Sequence, residues 1–344
     1  MKKTIISLLL ASAALAIAGC AKHEESGAND ANKRYFDAWM QLNYPDAKPT
    51  DFGIYILEDE PGSGTEVTKD GFALLDYIAT DLYGNIAAST YKETAEQLGT
   101  YTQGNYYGAK FQPTSEGAIH AGLLEALVGM QVGGHRKVII PTWLMSYSSY
   151  ETEAEYLAEE PSNSSAIYDF TVKDFTEDIY KWQRNKIGEY FKENSDIFGD
   201  MTAEDTLSGY GGFYYKQIVP PKDTTSFPSD TAIYINYTGK LLDGTVFDTT
   251  NERLAKDNGI WSASRKYAPV QVTWAEKFED ITMSSSTLIN GFSLTLWQMR
   301  EFEKGIGVFT SNYGYGYSGS GDNIPGYAPL IFEIEIVKNP DKED

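Results

Sequence analysis

Apolar residues recur along this chain with two periods, and the alternation between them outlines its elements. From Asn29 to Asn43, Tyr35, Trp39 and Leu42 share one helical face with Phe36 and Met40 beside them, and Pro45 and Pro49 stop the run. Phe52–Leu57, Phe72–Ile78 and Ile86–Thr90 are short apolar runs parted by Pro61-Gly-Ser-Gly and Asp81-Leu-Tyr-Gly-Asn, so they read as strands joined by turns. Helical spacing returns at Leu123, Leu124, Leu127 and Met130, and Gly133-Gly134 breaks it. Val138–Ile140 and Ala166–Val172 follow as strands.

Then the plan restarts. An aromatic-rich helix over Asp178–Asn194 corresponds to the first one, and Gly211–Pro221 corresponds to Phe52–Leu57. Ile233, Ile235 and Tyr237 alternate with polar residues, Asp243-Gly244 is a hairpin turn, and Thr245–Asp248 is the returning strand. Ser293–Glu303 reads as a helix, Ile306–Phe309 as a strand and Pro329–Lys338 as a long alternating strand. Tyr77 matches Tyr237 and Met130 matches Met299, a repeat of roughly 160–170 positions that is too long for a solenoid and sized for tandem domains. The expected fold class is α+β. Residues 32–176 form the first domain and residues 177–344 the second, with an inserted segment at 254–287 that contains a strand over Pro269–Trp274. Trp39 and Trp182, on the two leading helices, are candidates for a dimer interface.

The stretch Tyr237-Thr-Gly-Lys-Leu-Leu-Asp-Gly-Thr-Val-Phe-Asp resembles the signature hairpin of the FKBP-type peptidyl-prolyl isomerases, and Ile119–Ile140 resembles that family's helix, exit turn and following strand. The resemblance implies a twisted antiparallel sheet wrapped around one short helix in each repeat. It also implies a proline pocket in the second repeat lined by Tyr237, Phe247, Phe292 and Phe332, with Ile324 as a side wall. Ile289 would offer its backbone N–H, Tyr315 its hydroxyl, and Asp248 a carboxylate at the rim paired with Arg253. Two departures stand out: Phe292 replaces the usual tryptophan floor, and Met299-Arg-Glu-Phe-Glu-Lys-Gly lacks the usual Val-Gly step. The first repeat keeps Tyr77 but has Ala87-Ala88 for Phe-Asp, Leu123 at the floor, Ser146 at the loop tyrosine and Tyr168 for the last phenylalanine. It therefore reads as a non-catalytic domain that positions the second or holds peptide.

Composition narrows the setting. With 42% hydrophobic residues the chain can build real cores, and a formal charge of −21 argues against nucleic acid as a partner. The single cysteine rules out an intramolecular disulfide. Lys2-Lys3, an apolar run from Ile5 to Ile17 and Ile17-Ala-Gly-Cys20 read as a signal peptide over residues 1–19. The last four residues resemble a bacterial lipobox, which implies a lipid on Cys20, a tether over residues 20–31 and a membrane-anchored protein outside the cytoplasm.

His23, His120 and His135 have no metal or triad spacing, and no phosphate-binding glycine motif is present, so no cofactor or metal is expected. Prolyl isomerisation needs neither: a dry aromatic pocket with a few hydrogen-bonding groups suffices. The expected function is a peptidyl-prolyl isomerase acting on proline-containing segments of exported proteins. The rival is a non-catalytic peptide-binding or chaperone lipoprotein that keeps the same fold.

Overall fold

The computed structural model describes residues 28–147, 155 and 164–340. The expected leader, Cys20, most of the tether and most of the acidic stretch Glu151–Glu160 lie outside the described residues. Helix α1 (Ala28–Asn43) begins inside the segment expected to be tether, because Asn29 is already buried there. The helix buries Phe36 and Met40 against Ile139 of the first sheet.

That sheet contains β1 (Tyr55–Glu60), β2 (Phe72–Thr80), β3 (Ile86–Ser89), β4 (Lys110–Pro113), β5 (His135–Ile140) and β6 (Ala166–Thr176). Helices α2 (Lys92–Leu98) and α3 (Ala121–Leu127) interrupt the run. The order is β1-β5-β6-β2-β3, with β4 on the other half of the edge of β2 that β3 occupies, and every pairing is antiparallel. Leu123, Leu124, Leu127 and Met130 bury themselves against Leu75, Val138, Ile140 and Phe170, as the helical spacing requires. Strand β6 runs past its expected end at Val172 to Thr176 and leads almost directly into α4 (Ile179–Glu193), whose first turn is capped by Asp178 accepting from Lys181 N at 2.9 Å.

After the one-turn helix α5 (Ser195–Phe198), the second sheet repeats the first. It comprises β7 (Phe213–Val219), β8 (Thr231–Leu241), β9 (Val246–Thr249), β10 (Val270–Trp274), the hairpin β11 (Thr282–Met283) and β12 (Ser286–Thr287), β13 (Lys304–Phe309) and β14 (Leu330–Val337). Helices α6 (Glu252–Asp257) and α7 (Asn290–Gln298) occupy the places of α2 and α3. The order β10-β8-β14-β13-β7, with β9 also on β8, is the order of the first sheet strand for strand. The segment 254–287 is therefore only partly an insertion. Its helix and β10 have counterparts in α2 and β4, and what the second unit adds is the short hairpin β11–β12.

Helix α7 ends at Gln298, short of the expected Glu303. The Arg300 guanidinium Nη1 donates to the carbonyls of Trp297, Gln298 and Met299 at 3.1, 3.3 and 2.8 Å, closing the helix end. Phe302 then takes a φ of 59°, the left-handed position that Gly133 holds with φ 87° after α3. Glu303, only 1% exposed, is held by the Tyr215 hydroxyl at 2.6 Å, Gln217 Nε2 at 2.8 Å and the Arg300 N–H at 2.8 Å.

The two sheets meet through side chains near one end of each. Phe111 of β4 packs edge-on against Trp182 at 4.8 Å, and Phe72 of β2 packs against Tyr327 at 5.2 Å. The Tyr106 N–H donates to the Asp322 carbonyl at 2.8 Å. Trp182, whose indole N–H also donates to Asp174 Oδ2 at 2.8 Å, thus joins the two units of one chain.

Candidate active site

Alternation in β8 sends Ile233, Ile235, Tyr237 and Gly239 to one face. Tyr237 marks where that face turns from plain core into a pocket. Gly239 follows two residues on, and a side chain there would collide with the rings of Phe247 and Phe332, so glycine is what lets these rings close together. The turn beyond is set by Gly244 at φ 88° and by Asp243 Oδ1 accepting from Thr245 N at 2.9 Å. It brings β9 back so that Phe247 points under the hairpin.

Four aromatic rings then converge from four elements. Tyr237 of β8 meets Phe292 of α7 at 5.3 Å between centroids and Phe332 of β14 at 6.3 Å. Phe247 of β9 meets Phe332 at 5.5 Å, and Phe292 meets Phe332 at 4.9 Å, both edge to face. Ile324 is buried in the same cluster and Ile289 packs on its edge. All the apolar residues expected in the pocket are thus brought together. Phe292 forms its floor, as its position demands.

The polar rim differs from the expectation. Tyr237 donates its hydroxyl to Asp248 Oδ2 at 2.7 Å, and Asp248 pairs with the guanidinium of Arg265, which also donates to the Tyr237 oxygen at 3.1 Å. Arg253 does not take this role. It lies on α6 with its side chain 92% exposed, 3.7 Å from Asp257, because the helix that starts just after Asn251 carries it away from β9. Arg265 was not legible as its replacement, since it stands 17 positions beyond Asp248 and reaches back only because the loop between α6 and β10 folds over the hairpin. Its guanidinium lies 5.4 Å from the Tyr267 ring. Burial first, and then the charge of Asp248, hold the Tyr237 phenol well above its ordinary value, so it remains a neutral donor.

The remaining predicted groups sit on the same rim. Ile289 is the residue before α7, and its N–H has no acceptor among the described residues. Tyr315 is 37% exposed, and its phenol is raised by burial and then by the charge of Asp248. The loop that carries Tyr315 is anchored from α4: the buried Gln183 accepts from Ser311 N at 2.7 Å and donates to Ser311 Oγ at 3.0 Å. A contact from the first unit also reaches this loop, through Tyr106 and Asp322.

The corresponding place in the first unit is altered rather than erased. Tyr77 and Tyr168 face each other at 6.2 Å over a cavity of about 200 Å³, with Leu123 where Phe292 would be. The loop phenol absent at Ser146 is supplied one residue later by Tyr147, which lines the same cavity. Ala88 and Asn105 stand at the repeat positions of Asp248 and Arg265, so the charged pair of the second unit has no counterpart here.

Among the described residues no cluster of histidine, cysteine or carboxylate is disposed to hold a metal ion, and no helix is long and apolar enough to cross a membrane. The second unit offers an apolar aromatic cluster, one free N–H, two phenols and a carboxylate already engaged by an arginine. Such a set can desolvate and hold a twisted amide. It lacks an unengaged base or nucleophile.

Residues 224–337 match the family model of the FKBP-type peptidyl-prolyl cis-trans isomerase. The chain is similar to human peptidyl-prolyl cis-trans isomerase FKBP9, at 20% identity over 308 residues that cover 83% of this chain and 44% of that protein. It is similar to the FK506-binding protein of Neisseria meningitidis, at 29% identity over 140 residues covering 41% of this chain and 96% of the other. A solved peptidyl-prolyl cis-trans isomerase from Pseudomonas syringae pv. tomato aligns with 45% of this chain and 92% of its own, at 21% identity and a TM-score of 0.30. This chain thus spans less than half the length of the human relative.

Proposed function

We propose that the protein is a peptidyl-prolyl cis-trans isomerase whose turnover belongs to the second unit, where residues 224–337 match the FKBP-type family model. The observation that carries this reading is the convergence of the Tyr237, Phe247, Phe292 and Phe332 rings beside one carboxylate, Asp248, which is paired with Arg265 and hydrogen-bonded by Tyr237. The barrier to rotation about an X–Pro bond is the loss of amide resonance, about 18–20 kcal/mol. As the bond twists, the carbonyl loses its charge-separated character, so a dry apolar well favours the twisted form over the polar ground state.

The hydrogen-bonding groups divide the remaining work. The free N–H of Ile289 and the hydroxyl of Tyr315 are available to peptide carbonyls on either side of the proline. Asp248, held by Tyr237 and Arg265, presents a fixed partial charge towards the twisting amide rather than accepting a proton.

We further propose that the substrates are proline-containing segments of exported proteins and that the enzyme acts outside the cytoplasm, anchored by lipid on Cys20. The basic n-region, the apolar run and the lipobox-like Ile17-Ala-Gly-Cys20 support this setting.

The test is the rate of isomerisation of a short Xaa-Pro peptide by residues 21–344, beside its Phe247→Ala variant. Acceleration that collapses in the variant supports the enzyme and locates its pocket. A folded wild-type chain that binds the peptide without accelerating it leaves the non-catalytic chaperone as the better account. Labelling with radioactive palmitate in the producing cell, lost in Cys20→Ser, tests the anchor separately.

A further inference from the structure

The cavity of the first unit carries an inference that does not depend on catalysis by the second. It holds about 200 Å³ and is lined by Tyr77, Gln112, His120, Tyr147 and Tyr168 over an apolar base that includes Leu123. None of the five polar side chains makes a hydrogen bond to any other described residue, although all five face one small space. Tyr77 and Tyr168 are partly buried, and burial raises both phenols, so their O–H groups stay protonated and able to donate. The His120 imidazole is held below its ordinary value by burial and so is uncharged at neutral pH; it touches Tyr147 edge-on at 4.8 Å.

The contrast with the second unit shows what has changed. There the matching phenol, Tyr237, is engaged by Asp248 and Arg265, and the position matching Tyr168 is Phe332, which has no hydroxyl. In the first unit Ala88 and Asn105 remove the charged pair, which frees the Tyr77 hydroxyl, while Tyr168 adds a second. Polar groups that face a cavity without a protein partner are open to a ligand or to water, and a net hydrogen bond to one contributes about 0.5–1.5 kcal/mol.

We propose that this cavity is a second, non-catalytic peptide site that takes an uncharged carboxamide side chain, that of glutamine or asparagine, rather than proline. Size favours one side chain: the cavity is smaller than the roughly 300–1,000 Å³ of drug-sized ligand sites. Charge favours an uncharged group, because among the described residues neither a cation nor a carboxylate lines the cavity. The lining combines donors, in the two partly buried phenols, with acceptors, in Gln112 and neutral His120, and a carboxamide offers both in turn. The two units would then grip one extended client at different residue types, with turnover at only one of them.

The experiment is a titration of residues 21–344 with N-acetylated, amidated Ala-Gln-Ala, Ala-Leu-Ala and Ala-Pro-Ala, followed by backbone NMR shifts and calorimetry. The expected result is that Ala-Gln-Ala moves the signals of Tyr77 and His120 but not those of Tyr237. The Tyr77→Phe/Tyr168→Phe double variant should weaken it at least about tenfold, the effect of losing one or two net hydrogen bonds. Leu123→Phe, which fills the base, should abolish it in a chain that still moves the Tyr237 signals with Ala-Pro-Ala. Binding of Ala-Leu-Ala as tight as Ala-Gln-Ala, undiminished binding in the double variant, or no response at Tyr77 to any of the three would overturn the proposal.

Discussion

Arg265 and Asp248 form an ion pair across 17 positions of sequence, and the same guanidinium donates to the oxygen of Tyr237. Three groups from β8, β9 and the loop before β10 are thereby locked into one arrangement at the mouth of the aromatic well. Arg265→Ala should leave Asp248 free to turn towards water. We expect a loss of about 1 kcal/mol in stability, since the pair is a third exposed and partly screened. Isomerase activity should fall roughly tenfold or more as the carboxylate loses its position. Arg253→Ala should change neither. Urea midpoints and peptide isomerisation rates on the two variants decide which arginine serves the site.

Gly239 sits where Phe247 and Phe332 come together, and any side chain there intrudes on both rings. Gly239→Ala should cost about 1–3 kcal/mol through overpacking and should reduce activity even where the variant folds. Near-ultraviolet circular dichroism reports the aromatic packing. A spectrum and rate equal to wild type would show that the rings can part without consequence.

Phe302 carries a φ of 59° at the step where the first unit uses Gly133. A bulky residue in that region is strained by roughly 1–2 kcal/mol. Phe302→Gly should therefore raise the urea midpoint slightly, by less than about 1 kcal/mol in stability once the lost ring contacts and the added freedom of the unfolded chain are set against the relieved strain. A lower midpoint would mean that the ring's contacts outweigh the backbone.

Several phenols lie above their ordinary value of 10.0. Burial drives each shift: Tyr106 and Tyr214 are pushed up to about 12, and Tyr237 and Tyr215 higher still, helped by neighbouring Asp248 and Glu303. A raised folded value means that the unfolded chain releases its proton first. The stabilisation is therefore present in full below about pH 10 and is lost as pH climbs through the folded values. Phenolate absorbance should show a class of tyrosines that titrates late and together with unfolding, and melting temperature should begin to fall only above pH 10. Ionisation of all tyrosines near the ordinary value in the folded protein would contradict the burial seen here.

Much of this arrangement was legible from local pattern. Alternation in Ile233–Tyr237, the Asp243-Gly244 turn and the helical spacing of Leu123 to Met130 each follow from the backbone period and a turn's need for positive φ. These signals depend only on neighbours, so they survive in one dimension. The repeat was legible for the same reason, but the convergence of Tyr237, Phe247, Phe292 and Phe332 was implied only by the family resemblance, since sheet register governs the three strand residues and Phe292 arrives on α7. The choice of Arg265 over Arg253, the capping of α7 by Arg300, the junction through Trp182 and the unpartnered phenols of the first unit were decided only in the tertiary structure. Each depends on where a loop or helix end lands in space after distant strands have paired. A side chain's nearest charge, or its lack of one, is a property of that packing rather than of its neighbours in sequence.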